Sequence, residues 1–319
     1  MISVKNLTKV YLTHKKQDNL LWDLFFRKYN KIAALDNVSF DIHENELVGF
    51  IGPNGAGKTT TLKILSGILY PTSGSVSILG YIPFTKNPEF LKQIAFVAGQ
   101  RNQLIWDLPA SDTFKLNQEI YEIDEQKYKK NVADLAEILN CTQKIEKPVK
   151  TLSLGERMKM ELIAALLHQP KLIFLDEPTI GLDLFSQQNI RQFLKTYQQK
   201  YKATIILTSH YMEDVKALAK RVIIINHGKI IYNDQLKSII EKYSSEKIIK
   251  VTLDDNCDEK TLTLKEKPFS YSFPEIIYKV DKKNLPEKIK MITETLPFSD
   301  LTVEDKPIEE VIKEMFNKT

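Results

Sequence analysis

Residues 52–60 read Gly52-Pro53-Asn54-Gly55-Ala56-Gly57-Lys58-Thr59-Thr60 and follow directly on the apolar run Leu47-Val48-Gly49-Phe50-Ile51. The run predicts a short buried strand, and the glycines after it predict a tight loop that opens a helix. Such a loop turns backbone N–H groups toward phosphate oxygens with no Cβ in the way, and the new helix adds partial positive charge at its N-terminus. Lys58 is spaced to reach the β- and γ-phosphates and Thr59 to ligate Mg²⁺. The stretch is a triphosphate cradle and predicts ATP binding.

A second stretch, from Thr151 to Asp183, reads TLSLGERMKMELIAALLHQPKLIFLDEPTIGLD. Lys171 to Leu175 lead an apolar strand into the pair Asp176-Glu177, whose carboxylates have separable tasks. Asp176, at the strand end, holds Mg²⁺ through water, and Glu177 polarises the water that attacks the γ-phosphate. Ser153 with Glu156 three residues on predicts a capped helix start, and taken by itself that pair is only a capping box.

The Ser153-Leu154-Gly155-Glu156 loop just before an apolar strand and an Asp-Glu pair resembles the ATP-binding-cassette (ABC) ATPase family, whose signature loop is LSGGQ. The resemblance covers residues 1 to about 235 and carries further elements in order. Gln100, after Ile94-Ala95-Phe96-Val97, matches the family's glutamine that touches Mg²⁺ and the attacking water. Gly181-Leu182-Asp183 matches the loop that crosses the dimer interface, and His210, after Thr204 to Ser209, matches the switch histidine on the γ-phosphate. Tyr11 stands where the family stacks an aromatic ring on adenine. By resemblance, Ser153 and Gly155 meet the γ-phosphate of ATP bound by the partner subunit, with Glu156 and Asp183 beside them. Three positions depart from the pattern: Leu154 replaces a glycine and Glu156 a glutamine in the signature loop, and Leu184 replaces the proline that often follows Asp183.

The fold implied is an α/β P-loop cassette with a mixed, mainly parallel sheet and a helical subdomain at about 100–170. Strand-like runs at 47–51, 94–97, 172–175, 204–207 and 222–225 alternate with helical patterns at 59–65, 127–139, 156–168, 186–200 and 212–219, as a sheet covered on both faces requires. The early strands at 2–4, 38–42 and 76–79 predict an antiparallel edge to that sheet.

With 319 residues the chain exceeds one ordinary domain, and the division expected is a cassette over 1–240 and a small α+β accessory domain over 241–319. From Ser244 onward there are 13 lysines, no arginine and 16 acidic residues, a net charge of −3 against +7 for the rest. Strands are expected at 247–253, 270–280 and 301–303, with helices at 286–295 and 307–316. The tail has no catalytic cluster, so dimer support or regulation is its expected role. A net charge of only +4 does not argue for nucleic acid as a partner.

Residues 12–32 form an insertion that an ordinary cassette lacks. Leu20 to Tyr29 read as a helix with Leu21, Trp22, Phe25, Phe26 and Tyr29 on one side, suited either to packing on its own domain or to lying at a membrane interface. No run approaches the roughly 18–20 apolar residues that cross a bilayer, and the N-terminus lacks the apolar segment of a signal peptide. The expected location is therefore the cytoplasmic face of the membrane, with separate membrane-spanning subunits. The LSLGE and TIGLD pattern resembles ATPases of exporters, and Trp106 and Leu108, within 100–116, offer a docking surface. The reading is an ATP- and Mg²⁺-dependent exporter ATPase, acting as a homodimer or paired with a similar subunit. The alternatives are a soluble non-transport ABC ATPase serving DNA repair or translation, and a regulatory module switched by ATP.

Overall fold

The computed structural model describes residues 1–15, 28–99, 103–209, 211–243, 245–254 and 266–317. They divide into two compact units, Met1–Asp234 and Gln235–Thr319.

Two sheets build the first unit. The larger has six strands in the order β5-β6-β7-β3-β8-β9, with β3 at Leu47–Ile51, β5 at Ile94–Ala98, β6 at Leu172–Asp176, β7 at Thr204–Thr208, β8 at Arg221–Asn226 and β9 at Lys229–Gln235. The four pairings from β5 to β8 are all parallel. Their unbroken apolar runs are what a parallel sheet with both faces covered demands. Leu172 to Leu175, Ile205 to Leu207 and Val222 to Ile225 are all fully buried.

The smaller sheet is antiparallel, in the order β2-β1-β4, with β1 at Ile2–Lys15, β2 at Lys28–Ile42 and β4 at Ser73–Ile78. These strands were expected at the edge of the main sheet and instead form a layer of their own. The reason lies in their alternation: Ile2 and Val4 face inward, and a bulge at Asn6, with φ of 52°, shifts the inward set to Leu7. One apolar face then packs with Val48, Phe50, Phe174 and Ile223 of the main sheet and with Leu62 of the helix Lys58–Leu65. The edge strand that closes the main sheet is β9, absent from the sequence reading. His227 and Gly228, both at positive φ, make the two-residue turn from β8 that such a hairpin needs.

The β1–β2 ribbon continues outward through Tyr11↔Ile32, His14↔Tyr29 and Lys15↔Lys28. Tyr29, expected as the last residue of a helix, is thus a strand residue, its ring edge-on to His14 at 6.1 Å. Cross-strand pairing satisfies the backbone here as a helix would. Residues 16–27, which carry the rest of the expected helix, lie outside the described residues.

The helices of the first unit include α1 at Lys58–Leu65, α2 at Ala110–Ile120, α3 at Glu125–Ile138, α4 at Leu154–Leu166, α5 at Leu184–Tyr201 and α6 at Met212–Leu218. Helix α2 escaped the sequence reading because its inward face mixes Ala110 and Phe114 with the buried polar Thr113 and Gln118. Helix α3 starts earlier than expected because the Asp124 carboxylate accepts from the N–H groups of Gln126 and Lys127. Helix α4 is buried on most sides, with Met158, Met160, Leu162, Ile163 and Leu166 in one core with Phe114 and Leu135.

The second unit is a four-stranded antiparallel sheet in the order β11-β12-β10-β13, with β10 at Glu246–Leu253, β11 at Ser270–Ser272, β12 at Glu275–Asp281 and β13 at Phe298–Asp305. The single strand expected over 270–280 is a hairpin, broken where Pro274 has no N–H to pair. Ile249, Val251, Ile276 and Tyr278 form its core with Ile292 and Leu296, from the helix Leu285–Thr295 and its end. Among the described residues, no helix is long and apolar enough to cross a membrane.

Candidate active site

The carboxyl ends of β3, β6 and β7 open on the same edge of the main sheet, where open α/β sheets bind ligands. Strand β3 delivers Gly52, and the loop winds into α1 with Gly57 as N-cap at φ 110°. A side chain there would be strained by that φ, and its Cβ would stand 2.6 Å from the Ala34 carbonyl oxygen. No side chain caps α1, so its first N–H groups, on Lys58, Thr59 and Thr60, remain open to an anion. The Ala56 N–H donates to the Pro53 carbonyl at 3.2 Å and the Gly228 N–H to the Ala56 carbonyl at 3.0 Å, which ties the loop to the β8–β9 turn. Asn54 and Gly55 are exposed at the loop tip.

Lys58 is buried, and its ammonium donates to the carbonyls of Gly52 at 2.7 Å and Pro53 at 3.0 Å. An ammonium has three donors, so one remains for a phosphate oxygen. Burial lowers the Lys58 pKa, and the negative charges of Glu177 and Asp176 oppose that fall.

Asp176 ends β6 and gathers two hydroxyls. Thr59 Oγ1 donates to it at 2.9 Å and Thr208 Oγ1 at 2.7 Å. The Thr59 hydroxyl and the Asp176 carboxylate are adjacent hard oxygen donors, the set that Mg²⁺ takes when phosphates and water complete its shell. Among the described residues no cluster of three His, Cys, Asp or Glu side chains could hold a metal alone. Glu177 follows at φ 56°, a left-handed turn off the strand, with its N–H on the carbonyl and hydroxyl of Thr208, each at 3.1 Å.

A second constellation holds the signature loop. Ser153 is the N-cap of α4: its Oγ accepts from the Glu156 N–H at 3.3 Å, and Glu156 Oε2 accepts from the Ser153 N–H at 3.0 Å. The capping-box reading therefore applies, and the Ser153 hydroxyl proton stays available for donation. Lys144 pairs with Glu156 Oε1 at 2.6 Å, and these contacts lower the Glu156 pKa. Gly155 lies so close to α5 that a Cβ would stand 2.3 Å from Ser186 Oγ. Asp183 caps α5, accepting from the Ser186 N–H at 2.9 Å and Oγ at 2.6 Å, bonds that lower its pKa. Leu154 projects outward, 41% exposed, beside Gly181.

Tyr11 lies on β1, partly exposed, with the Lys9 ammonium 5.3 Å from its ring centre. Gln100 and His210 lie outside the described residues. One residue beside the site escaped the sequence reading. Asp214, fully buried in α6, accepts from Thr179 Oγ1 at 2.5 Å, Ser209 Oγ at 2.6 Å and Arg191 Nε at 2.6 Å. It anchors both the turn after Glu177 and the end of β7. In the sequence it is one acid in a polar helix start, with no periodic signal.

The family described as ABC transporter matches residues 35–180. The ABC transporter ATP-binding protein NatA of Bacillus subtilis (strain 168) is 32% identical over 222 residues, which cover 70% of this chain and 90% of that protein. The linearmycin resistance ATP-binding protein LnrL of the same organism is 31% identical over 227 residues, covering 71% and 72%. Among solved structures, the dimeric post-hydrolysis state of the ATP-binding cassette MJ0796 with ADP and Pi superposes with a TM-score of 0.61 at 25% identity, covering 74% of this chain and 98% of that one.

Proposed function

The chain belongs to the ABC transporter ATP-binding proteins, subunits that bind and hydrolyse ATP to energise transport, and from that premise we propose how its residues divide the work and which way the cargo moves. The observation that carries the reading is the meeting of Lys58, Thr59, Asp176 and Glu177 at one sheet edge, with two carboxylate–hydroxyl bonds under 3 Å.

Lys58 and the N–H groups of the 52–60 loop grip the triphosphate, and Tyr11 takes the adenine. Thr59 and Asp176 hold Mg²⁺, which when bound neutralises charge on the β- and γ-phosphates. Glu177 takes a proton from the attacking water, and Gln100 and His210 orient that water and the γ-phosphate. The Ser153 hydroxyl and the Gly155 N–H close on the ATP of a second cassette, with Asp183 at the same junction, so the working unit is a dimer. ATP binding closes it and hydrolysis reopens it.

The chain works at the cytoplasmic face of a membrane, docked on membrane-spanning subunits. A groove of about 560 Å³ in the first unit, lined by Ile68, Leu91, Phe96, Gln103, Ile120 and Tyr121, supports docking beside the 100–116 segment, where Ile105, Trp106, Leu108 and Leu116 are exposed. The resistance function in the name of LnrL supports export over uptake. The test is reconstitution of the chain with the membrane subunits that copurify with it. ATP-driven movement of cargo away from the nucleotide side upholds the reading, and movement toward that side refutes it.

A further inference from the structure

The segment that follows β5 is held by the helix that the signature loop opens. Glu161, two turns into α4 and only 4% exposed, accepts through Oε1 from the backbone N–H groups of Gln103 at 2.8 Å and Leu104 at 3.2 Å. Its Oε2 is buried and has no hydrogen-bond partner. One turn earlier on the same helix, the Arg157 guanidinium lies 5.0 Å from the centre of the Trp106 ring. The opposite side of the segment is tied to the residues just before Ser153. The Lys150 N–H donates to the Trp106 carbonyl and the Val149 N–H to the Leu108 carbonyl, each at 3.0 Å, and Lys150 Nζ pairs with Asp107 at 3.0 Å. A carboxyl group this deep in an apolar helix is costly unless it is hydrogen-bonded, and the two amides of the 103–108 segment supply the bonds. Burial pushes its pKa up, and the two amides pull it back.

We propose that Glu161, assisted by Arg157, is a positioning residue that locks the 103–108 segment to the signature helix, so that load applied at Trp106 and Leu108 reaches Ser153 as the motion of one body. The proposal rests on the docking reading above. It assigns coupling to a buried residue on the helix behind the signature loop. Without the lock, the surface segment would move alone and the signature loop would stay where it was.

The experiment compares Glu161→Leu, Glu161→Gln and Arg157→Gln as full-length chains, alone and in proteoliposomes with the copurifying membrane subunits. Gln keeps an oxygen acceptor for the two amides; Leu does not. In Glu161→Leu, amide exchange at Gln103 and Leu104 is expected to quicken roughly tenfold or more, the loss of about one hydrogen bond's protection. Nucleotide affinity and basal turnover should stay unchanged while stimulation by the membrane subunits is lost, and Glu161→Gln should restore it. Normal stimulation of Glu161→Leu with those amides freed would overturn the proposal. If Glu161→Leu does not fold, the half-buried Arg157 decides: lost stimulation in Arg157→Gln upholds the lock, and full stimulation overturns it. A Trp106→Ala, Leu108→Ala chain that assembles and is stimulated like wild type would sink the docking reading, and the proposal with it.

Discussion

Asp214 is the most consequential residue absent from the sequence reading. It is fully buried, and its two oxygens serve Thr179, Ser209 and Arg191, whose own side chain is only 16% exposed. Replacing Asp214 by Ala removes the carboxylate that pairs with that guanidinium and the acceptor of two hydroxyl protons, leaving Arg191 its bond to Gln187 and Ser209 its bond from the Tyr211 N–H. Removing one partner of a buried pair costs about 3–5 kcal/mol. In a unit of this size each kcal/mol moves the melting temperature by about 2–4 °C, so a fall of roughly 6–20 °C is expected. Asp214→Asn keeps an acceptor and should fall between. A double Asp214→Leu, Arg191→Leu chain should recover part of the loss, because no uncompensated charge remains. Thermal unfolding followed by circular dichroism measures all three. ATP turnover of the folded Asp214→Asn chain should also drop, because Ser209 and the turn after Glu177 lose their shared anchor. A melting temperature for Asp214→Ala within about 2 °C of wild type would refute the assignment of this network as an anchor.

Glu177→Gln should lower ATP hydrolysis by the roughly 10²–10⁴-fold typical of lost general-base assistance, while ATP binding survives and an ATP-bound dimer accumulates on gel filtration; undiminished turnover would remove Glu177 from that role. Lys58→Ala should weaken nucleotide binding by the monomer, whereas Ser153→Ala should leave it intact and impair only dimer closure and turnover, as equilibrium binding at low protein concentration will reveal. Equal loss of monomer binding in both would contradict action across the dimer. Glu156 has a folded-state pKa below its unfolded one, so its contribution is fully present above the unfolded value, near 4.3, and is lost as pH falls through the folded value. The stability advantage of wild type over Glu156→Ala, from urea titrations, should therefore shrink from pH 5 downward and stay flat from pH 6 to 8. A flat difference down to pH 3 would show that the Lys144 contact and the cap do not depend on the charge.

The strand, glycine-rich loop and helix start around residues 52–60 were legible from that stretch alone because each of their requirements is local. An apolar strand, glycines for the turn and a helix start are written within a dozen residues, and the backbone realises them with Gly57 at φ 110°. The pairing of Asp176 with Thr59 spans 117 residues and was legible only because both residues belong to recognisable motifs. Ser153 and Glu156 carried two local meanings, and the capping box is the one the chain makes for itself.

What tertiary structure alone decided has a different physical origin. The antiparallel strands could not be assigned to a layer from their pattern, since alternation marks an inward face without naming what it packs on. Leu7 faces inward because of a bulge at Asn6, and that face meets Phe50 and Phe174 of another sheet. Helix α2 hid behind buried Thr113 and Gln118, polar groups whose burial becomes affordable only once partners are in place. Glu161 and Asp214 were invisible for the same reason. A charged residue in a helix reads as surface by composition, and only the arrival of the Gln103 and Leu104 amides, or of Arg191 and two hydroxyls, makes a buried carboxyl the lower free-energy state. The sequence by itself determined the motifs for ATP binding and hydrolysis, each written along a short stretch of chain; the tertiary structure decided which of them meet and what braces them, because those contacts join residues that only folding brings together.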